Sequence, residues 1–463
     1  MSKYMIWLWF VLFCFTASAF GQQFTRTTSG DIVNNGGNTW GCAWGDFNGD
    51  GHPDLFGANR QSENLLYVNN GDGTFTRITS GSIVQENTVS YAGTWGDYDN
   101  DGDLDLFVPN EGDNALYTNT GNGNFTAVTS GEIVNDGANS QGAAWGDYDN
   151  DGWLDLFVAN NGENNMLFHN LGNGTFERIT TGGIVNDGGN SRNCIWADYD
   201  NDGDLDLFVA NTGDAVNFLY ENQGNGNFTR VTSGAIATDA FSSQGGNWGD
   251  YDNDGDLDLY VINYGPSNGT PNNLYQNNGD GTFSPADAGD IVTTIGASFS
   301  SAWLDYDNDG WLDMIVANSG DTRLCHLYHN NGDGTFDLVI DENEELLLLE
   351  APYHGISCAD YDGDGDTDIF IANGAGENNL LYQNNGNGHN WLQVECRTQT
   401  ADASTIGAKI TLFTTAGRQY REVSGLTGRG GQNHLIAEFG LGMTDLIDSV
   451  RVQWLNGAVD VIP

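Results

Sequence analysis

The sequence predicts an all-β fold, a seven-bladed β-propeller followed by a small C-terminal β-domain. Three observations carry this expectation. One nine-residue pattern, Asp-x-Asp-x-Asp-Gly-x-x-Asp with small variations, begins at Asp46, Asp97, Asp147, Asp198, Asp250, Asp305 and Asp360. Its period of 50 to 55 residues suits a propeller blade, and the intervening text alternates like strands rather than repeating every 3.6 residues. Glycine, at 65 of 463 residues, supplies the many turns such a fold needs.

Each unit reads as four short strands. In the second unit these are an apolar approach ending in Trp95-Gly96-Asp97, then Leu104 to Val108, Asn114 to Thr118 and Phe125 to Thr129. Turns such as Asn70-Gly71-Asp72-Gly73 recur between the last two strands. Trp44, Trp95, Trp145, Trp196, Trp248 and Trp303 stand two residues before the first Asp of their loops, and Cys358 takes that place in the seventh. Packing between neighbouring blades explains every copy at once, which a ligand role does not. Phe24 to Gly30 matches Phe75 to Gly81 although no blade precedes it, while the seventh unit ends without this strand. The N-terminal strand is therefore expected to complete the last blade and close the ring, removing open sheet edges.

Residues 1–21 carry Lys3, an apolar stretch from Met5 to Phe15 and then Ala17-Ser18-Ala19, the order of a secretory signal with cleavage expected near Ala19 or Gly21. The apolar run is shorter than a spanning helix needs, and no transmembrane segment is expected in the mature chain. Cys42, Cys194, Cys325, Cys358 and Cys396 have no paired spacing and are expected as buried free thiols.

The Asp loops carry the chemistry. Three Asp at alternate positions, a Gly for the sharp turn and a last Asp can wrap oxygen ligands around one hard cation. The candidate ligands are Asp46, Asn48, Asp50 and Asp54; Asp97, Asp99, Asp101 and Asp105; Asp147, Asp149, Asp151 and Asp155; Asp198, Asp200, Asp202 and Asp206; Asp250, Asp252, Asp254 and Asp258; Asp305, Asp307, Asp309 and Asp313; and Asp360, Asp362, Asp364 and Asp368. The carbonyl of Asp103 is a further candidate. Calcium, up to seven ions with one per loop, suits this donor set better than magnesium or zinc. Two carboxylates 4 Å apart repel by ~4 kcal/mol at an effective dielectric of 20, so four in one turn need a cation to stay ionised. A solvated acidic loop is the plain alternative for one copy, and seven copies in register count against it. An EF-hand is disfavoured because position twelve is Val108 in the second loop and Gly57 in the first, where a Glu is required. The first loop, with Asn48 and His52-Pro53, is expected to bind more weakly. Trp153 and Trp311 replace the seventh-position Asp in the third and sixth loops and are expected mainly as packing residues.

A formal net charge of −50 makes nucleic acid and anionic membranes poor partners. Residues 389–463 hold six of the 14 bases and seven acids, so the charge belongs to residues 22–388. Lys409 to Phe413 and Val450 to Trp454 read as strands. Arg418, Arg421 and Arg429 could face the acidic ring or an anionic ligand, with a solvated face as the plainer reading. No nucleophile elbow, phosphate loop or His-Glu-x-x-His occurs. Cys325 and His329 fall on one face of a strand and could ligate a metal, although two ligands make a weak set.

These residues resemble the FG-GAP or VCBS repeats of integrin α-chain propellers, over roughly residues 24–388. Asn390-Trp391-Leu392, Ile406-Gly407-Ala408-Lys409, Phe439-Gly440-Leu441-Gly442 and Val452-Gln453-Trp454 resemble the ASPIC/UnbV domain of the cartilage acidic protein family. Such domains usually run past the Trp-x-x-Gly segment, so a missing final strand or a truncated chain is expected at Pro463. The resemblance implies calcium-binding loops and a secreted binding protein. The functional expectation is an extracellular adhesion or recognition module for a protein or polysaccharide rather than an enzyme. The alternative is a carbohydrate-active lyase or hydrolase with its site in the central channel.

Overall fold

The computed structural model describes residues 4–9, 23–85, 88–224, 226–265, 270–320, 323–341, 344–398 and 405–463. Seven sheets each contain a four-stranded antiparallel blade, and their innermost strands neighbour one another in a closed circle. The second blade contains strands Thr94–Gly96, Asp105–Val108, Ala115–Asn119 and Phe125–Ala127, within a few residues of the sequence expectation. In the seventh, Phe24–Arg26 pairs antiparallel with Leu380–Asn384, so the first strand of the propeller closes the last blade. Phe24 is fully buried there. Short helical turns such as Ser82–Gln85 join successive blades, an element the strand periodicity did not signal.

The core lies between blades. Trp95 Nε1 donates to the Ala43 carbonyl of the preceding blade at 3.2 Å, and Trp145 repeats the bond to Thr94 at 3.2 Å. The ring at the second loop position stacks on the next tryptophan: Tyr98 on Trp145 at 6.0 Å between centroids, Tyr199 on Trp248 at 5.9 Å. The five cysteines among the described residues are free and buried.

The C-terminal piece consists of a four-stranded sheet, 409–414 with 417–422, 447–453 and 459–462, and a smaller one in which Asn390–Thr398 pairs with Ala437–Gly442, while its other edge takes Tyr4–Trp9 from the expected signal segment, a pairing that cleavage would remove. The expected cleavage region at Ala17-Ser18-Ala19 lies outside the described residues. The segment 424–435 enters the central channel. Gly431–Gln432 adds parallel to the innermost strand Thr39–Gly45, the Gly430 carbonyl accepts from Cys42 N at 2.7 Å, and Gly428 N donates to Asn247 Oδ1 at 2.7 Å. Glycines make room: a Cβ on Gly245 would lie 2.7 Å from the carbonyl carbon of Gly428. The segment thus narrows the channel named as an alternative enzyme site and, with Trp248, Trp303, Tyr420 and Arg421, lines a cavity that remains beside it.

Candidate metal centres

Each Asp loop joins the end of an innermost strand to the start of the next, so all seven sit on one face of the ring. In the second loop Asp97 Oδ1 accepts from Asp101 N at 3.0 Å and its Oδ2 from Gly102 N at 3.0 Å, with Gly102 at φ 96°. The chain thereby curls around its own first carboxylate. The last Asp is anchored from two sides: Asp105 Oδ1 accepts from Asn119 N at 2.7 Å and Oδ2 from Tyr98 N at 3.1 Å. Asn119 in turn donates to the Phe47 carbonyl of the preceding blade at 2.7 Å. The same bond recurs from Asn69, Asn170, Asn222, Asn277, Asn330 and Asn384, tying each loop to its neighbour around the whole circle.

The carboxylates converge. In Asp97/Asp99/Asp101, Asp147/Asp149/Asp151 and Asp198/Asp200/Asp206, one ligand atom per residue lies within 4.8 Å of the others. Asp54, Asp105, Asp155, Asp206, Asp258, Asp313 and Asp368 are fully buried. Burial pushes Asp105 and Asp258 up to about 9, Asp54 up to about 8 and Asp155 up to about 7, with neighbouring carboxylates contributing further. Among the first Asp, burial raises Asp97 to about 7 and Asp147 to about 8. Near neutral pH such groups require either a proton or a cation.

A direct test of fit is whether donor atoms are sealed without a partner. Asp54 Oδ2, Asp99 Oδ1, Asp149 Oδ1, Asp198 Oδ1, Asp307 Oδ1 and Asp362 Oδ1 are shut off from solvent and accept no hydrogen bond. Asp198 is itself almost completely buried. Leaving such an acceptor unmet costs about 1–3 kcal/mol, more for a charged group. Oxygen donors of this kind, inside a turn of carboxylates, fit a hard divalent cation.

The loops differ through a position the spacing did not mark, the penultimate residue of the third strand. Gln276 donates to Asp252 Oδ2 at 2.7 Å and Gln383 to Asp362 Oδ2 at 2.6 Å. In the third blade His169 Nδ1 lies 3.2 Å from Asp155 Oδ1 and 3.3 Å from Asp149 Oδ2; in the sixth, His329 Nδ1 lies 3.3 Å from Asp313 Oδ1 and 3.6 Å from Asp307 Oδ2. The hydrogen bond to Asp155 raises His169 to about 9. His329 thus turns to its Asp loop, while Cys325 is buried in the apolar core and does not share a site with it. Trp153 and Trp311 are half-buried over Gly172 and Gly332 of the outer hairpin turn, a packing role. In the first loop Asn48 Nδ2 reaches Asp54 Oδ1 at 3.4 Å and Val68 holds the penultimate position, leaving this loop the poorest in donors.

A second missed feature is the fourth loop position. Asn100, Asn150, Asn201, Asn253 and Asn308 adopt positive φ of 55–61°. Asn150 Nδ2 donates to Asp204 Oδ1 of the next loop at 2.6 Å, and Asn308 to Asp366 Oδ1 at 2.8 Å. Loops one and seven have Gly49 and Gly363 there, so this chain of loop-to-loop bonds opens at the seam of the ring.

The C-terminal piece covers four of these loops. Lys409 Nζ pairs with Asp198 Oδ2 at 2.6 Å, Gly440 N donates to Asp305 Oδ2 at 3.2 Å, and Gln393 to Asp360 Oδ2 at 2.9 Å. Burial raises Asp250 to about 7 and Asp305 well above the ordinary carboxylate range, and the charge of the half-buried Arg421 between them partly offsets both shifts. Arg418 lies over Gly255 of the fifth loop, whereas Arg429 is far along the channel. The three arginines therefore form no common patch.

Comparison with known proteins agrees with this geometry. The FG-GAP-like repeat matches at residues 46–108, 97–158, 147–209, 198–261, 250–316 and 305–371, each match running from one Asp loop into the following blade. The ASPIC and UnbV description matches residues 398–463. Cartilage acidic protein 1 of Mus musculus is 31% identical over 266 residues, 54% of this chain and 40% of that protein. The Homo sapiens protein of the same name is 30% identical over 266 residues, 54% and 39% respectively. The aligned region thus spans about two-fifths of these relatives. Among solved structures, an Agrocybe aegerita protein described as recognising non-reducing terminal N-acetylglucosamine aligns with a TM-score of 0.46 and 18% identity over 76% of this chain and 86% of its own. BBS1N in complex with ARL6DN aligns with a TM-score of 0.49 and 10% identity, over 78% and 96%. The chain belongs to the FG-GAP-like repeat family and, like cartilage acidic protein 1, joins those repeats to an ASPIC and UnbV domain.

Proposed function

We propose that this chain is an exported recognition module whose propeller is stabilised by calcium, up to one ion in each of seven loops, and which binds an extracellular protein or polysaccharide without chemical turnover. The carrying observation is the set of sealed carboxylate oxygens without partners inside the loops. Asp97, Asp99, Asp101 and Asp105 and their equivalents would hold the ion, whose charge would neutralise carboxylates that burial otherwise keeps protonated. The order of charge, apolar run and small residues in the first 21 positions supports export. No helix among the described residues is long and apolar enough to cross a membrane.

Calorimetry in calcium and in chelator tests the cation. A site filled at a hundred times its dissociation constant adds about 2.7 kcal/mol, so several sites should raise the melting temperature clearly. Identical melting in both buffers refutes calcium stabilisation. Binding to arrays of glycans and extracellular proteins tests recognition, and release of reducing sugar or unsaturated product from an array ligand would refute the non-enzymatic reading.

A further inference from the structure

The face opposite the Asp loops carries a second constellation. Near its start each of six innermost strands has a register irregularity, and in five of them the extra residue is Trp40, Gln141, Arg192, Gln244 or Phe299; His354 lies in the sixth. Bulges re-aim side chains, and this repeated one gathers these residues at the channel mouth. The mouth divides into an aromatic half and a polar half. Trp40 and His354 stack at 4.4 Å, and Phe299 meets both edge-on. On the other side Arg192 Nη1 donates to Gln141 Oε1 at 2.7 Å, and Arg429, delivered by the channel segment, donates to the same oxygen at 3.3 Å and, more closely, to Gln244 Oε1, both neutral acceptors. Arg60 lies 4.7 Å over Trp40, while Arg429 lies 4.2 Å over Phe299 and 5.5 Å from Trp40.

Three guanidiniums therefore converge in a chain with only 14 basic residues and 64 acids. Among the described residues no carboxylate oxygen comes within 4.0 Å of any of them. Arg429 is buried, and Nε of both Arg60 and Arg192 is sealed from solvent with no acceptor. A buried charge without a counter-ion is strongly unfavourable. Burial and the neighbouring Arg192 and Arg60 lower Arg429 to about 9, consistent with mutual repulsion. The Asp loops cannot neutralise this cluster: they lie a seven-residue strand away, roughly 20 Å at ~3.3 Å per residue, beyond the ~8 Å screening length at physiological salt.

We propose that this mouth is a carboxylate-binding site, in which Arg192 and Arg429 grip an acidic side chain of a protein partner while Arg60 and the aromatic wall keep water from it. The protein source follows from the ring geometry. His354 and Arg60 both stack on Trp40, so no bare indole face remains for a sugar ring, whereas a single carboxylate needs only the guanidinium edges. The proposal rests on the recognition reading for its biological use, but its test reads a different face from the calcium experiment.

The test is a titration of the full chain, at fixed ionic strength, with a capped tripeptide carrying one glutamate and with its glutamine counterpart, followed by the arginine Nε–H resonances and by calorimetry. Saturable binding of the glutamate peptide alone is expected, weakened at least tenfold in Arg192→Gln and in Arg429→Gln. Arg192 is half-buried at the rim, so that variant keeps the measurement decisive even where the channel variant fails to fold. Equal binding of the two peptides, or unchanged affinity in folded Arg192→Gln, overturns the site. Tighter binding of glucuronate than of the glutamate peptide overturns the protein assignment. Repeating the titration in chelator separates this outcome from the fate of the calcium reading.

Discussion

At the scale of single residues, the buried last Asp of each loop is a titrating switch for stability. Asp105 and Asp258 are raised to about 9 in the fold, against 3.8 for an ordinary Asp. Without metal, the folded chain holds protons between pH ~4 and ~9 that the unfolded chain has released, so stability falls as pH rises through that window. Chelated protein should therefore melt higher at pH 5.5 than at pH 8.5, and saturating calcium should remove or reverse this slope. Asp105→Asn imitates the protonated form while keeping the acceptor for Asn119 N. It should flatten part of the chelated pH profile and give a smaller gain on adding calcium; a full calcium gain would exclude Asp105 as a ligand. The Asp spacing made these residues legible in the sequence because turn chemistry fixes it within nine positions. His169, Gln276 and Gln383 were not legible, and His329 was read only as a partner of Cys325, since these residues reach the loops from a strand separated by turns of unequal length.

Among elements, the strand pattern and the ring closure were readable because period-two text and an orphan repeat at Phe24 are local signals. Blade closure can be tested at one side chain. Phe24 is fully buried in the seam between the sixth and seventh blades, and Phe24→Ala should cost about 3–5 kcal/mol in denaturant unfolding. A loss below about 1 kcal/mol would mean that the clasp strand is dispensable. The asparagine link between loops is a separate element. Asn150 sits at φ 59° and bonds the fourth loop, so Asn150→Ala adds left-handed strain of about 1–2 kcal/mol to the lost bond. Asn150→Gly should be milder, as Gly49 and Gly363 hold the same place at φ 74° and 76°. Equal destabilisation by Ala and Gly would show that the hydrogen bond, not the backbone, dominates.

For the whole molecule, three arginines that could face the acidic ring were the sole sign of contact, and the entry of segment 424–435 into the channel was not legible, because docking is a long-range event written in scattered residues such as Gly245, Lys409 and Arg421. Its cations and a loop ion act on the same carboxylates. Lys409 Nζ lies 2.6 Å from Asp198 Oδ2, both groups being buried, while Asp198 Oδ1 remains open to the loop. Removing one partner of a buried pair typically costs 3–5 kcal/mol, because the remaining charge stays desolvated. Lys409→Met keeps the apolar stem and removes only the charge, so its stability loss in chelator should approach that range. A divalent ion at the fourth loop would then neutralise the abandoned carboxylate. The calcium-induced rise in melting temperature should accordingly be larger in Lys409→Met than in the parent chain. An equal rise in both proteins would mean that C-terminal docking and loop filling are energetically independent, and that Lys409 serves only to hold the two parts together.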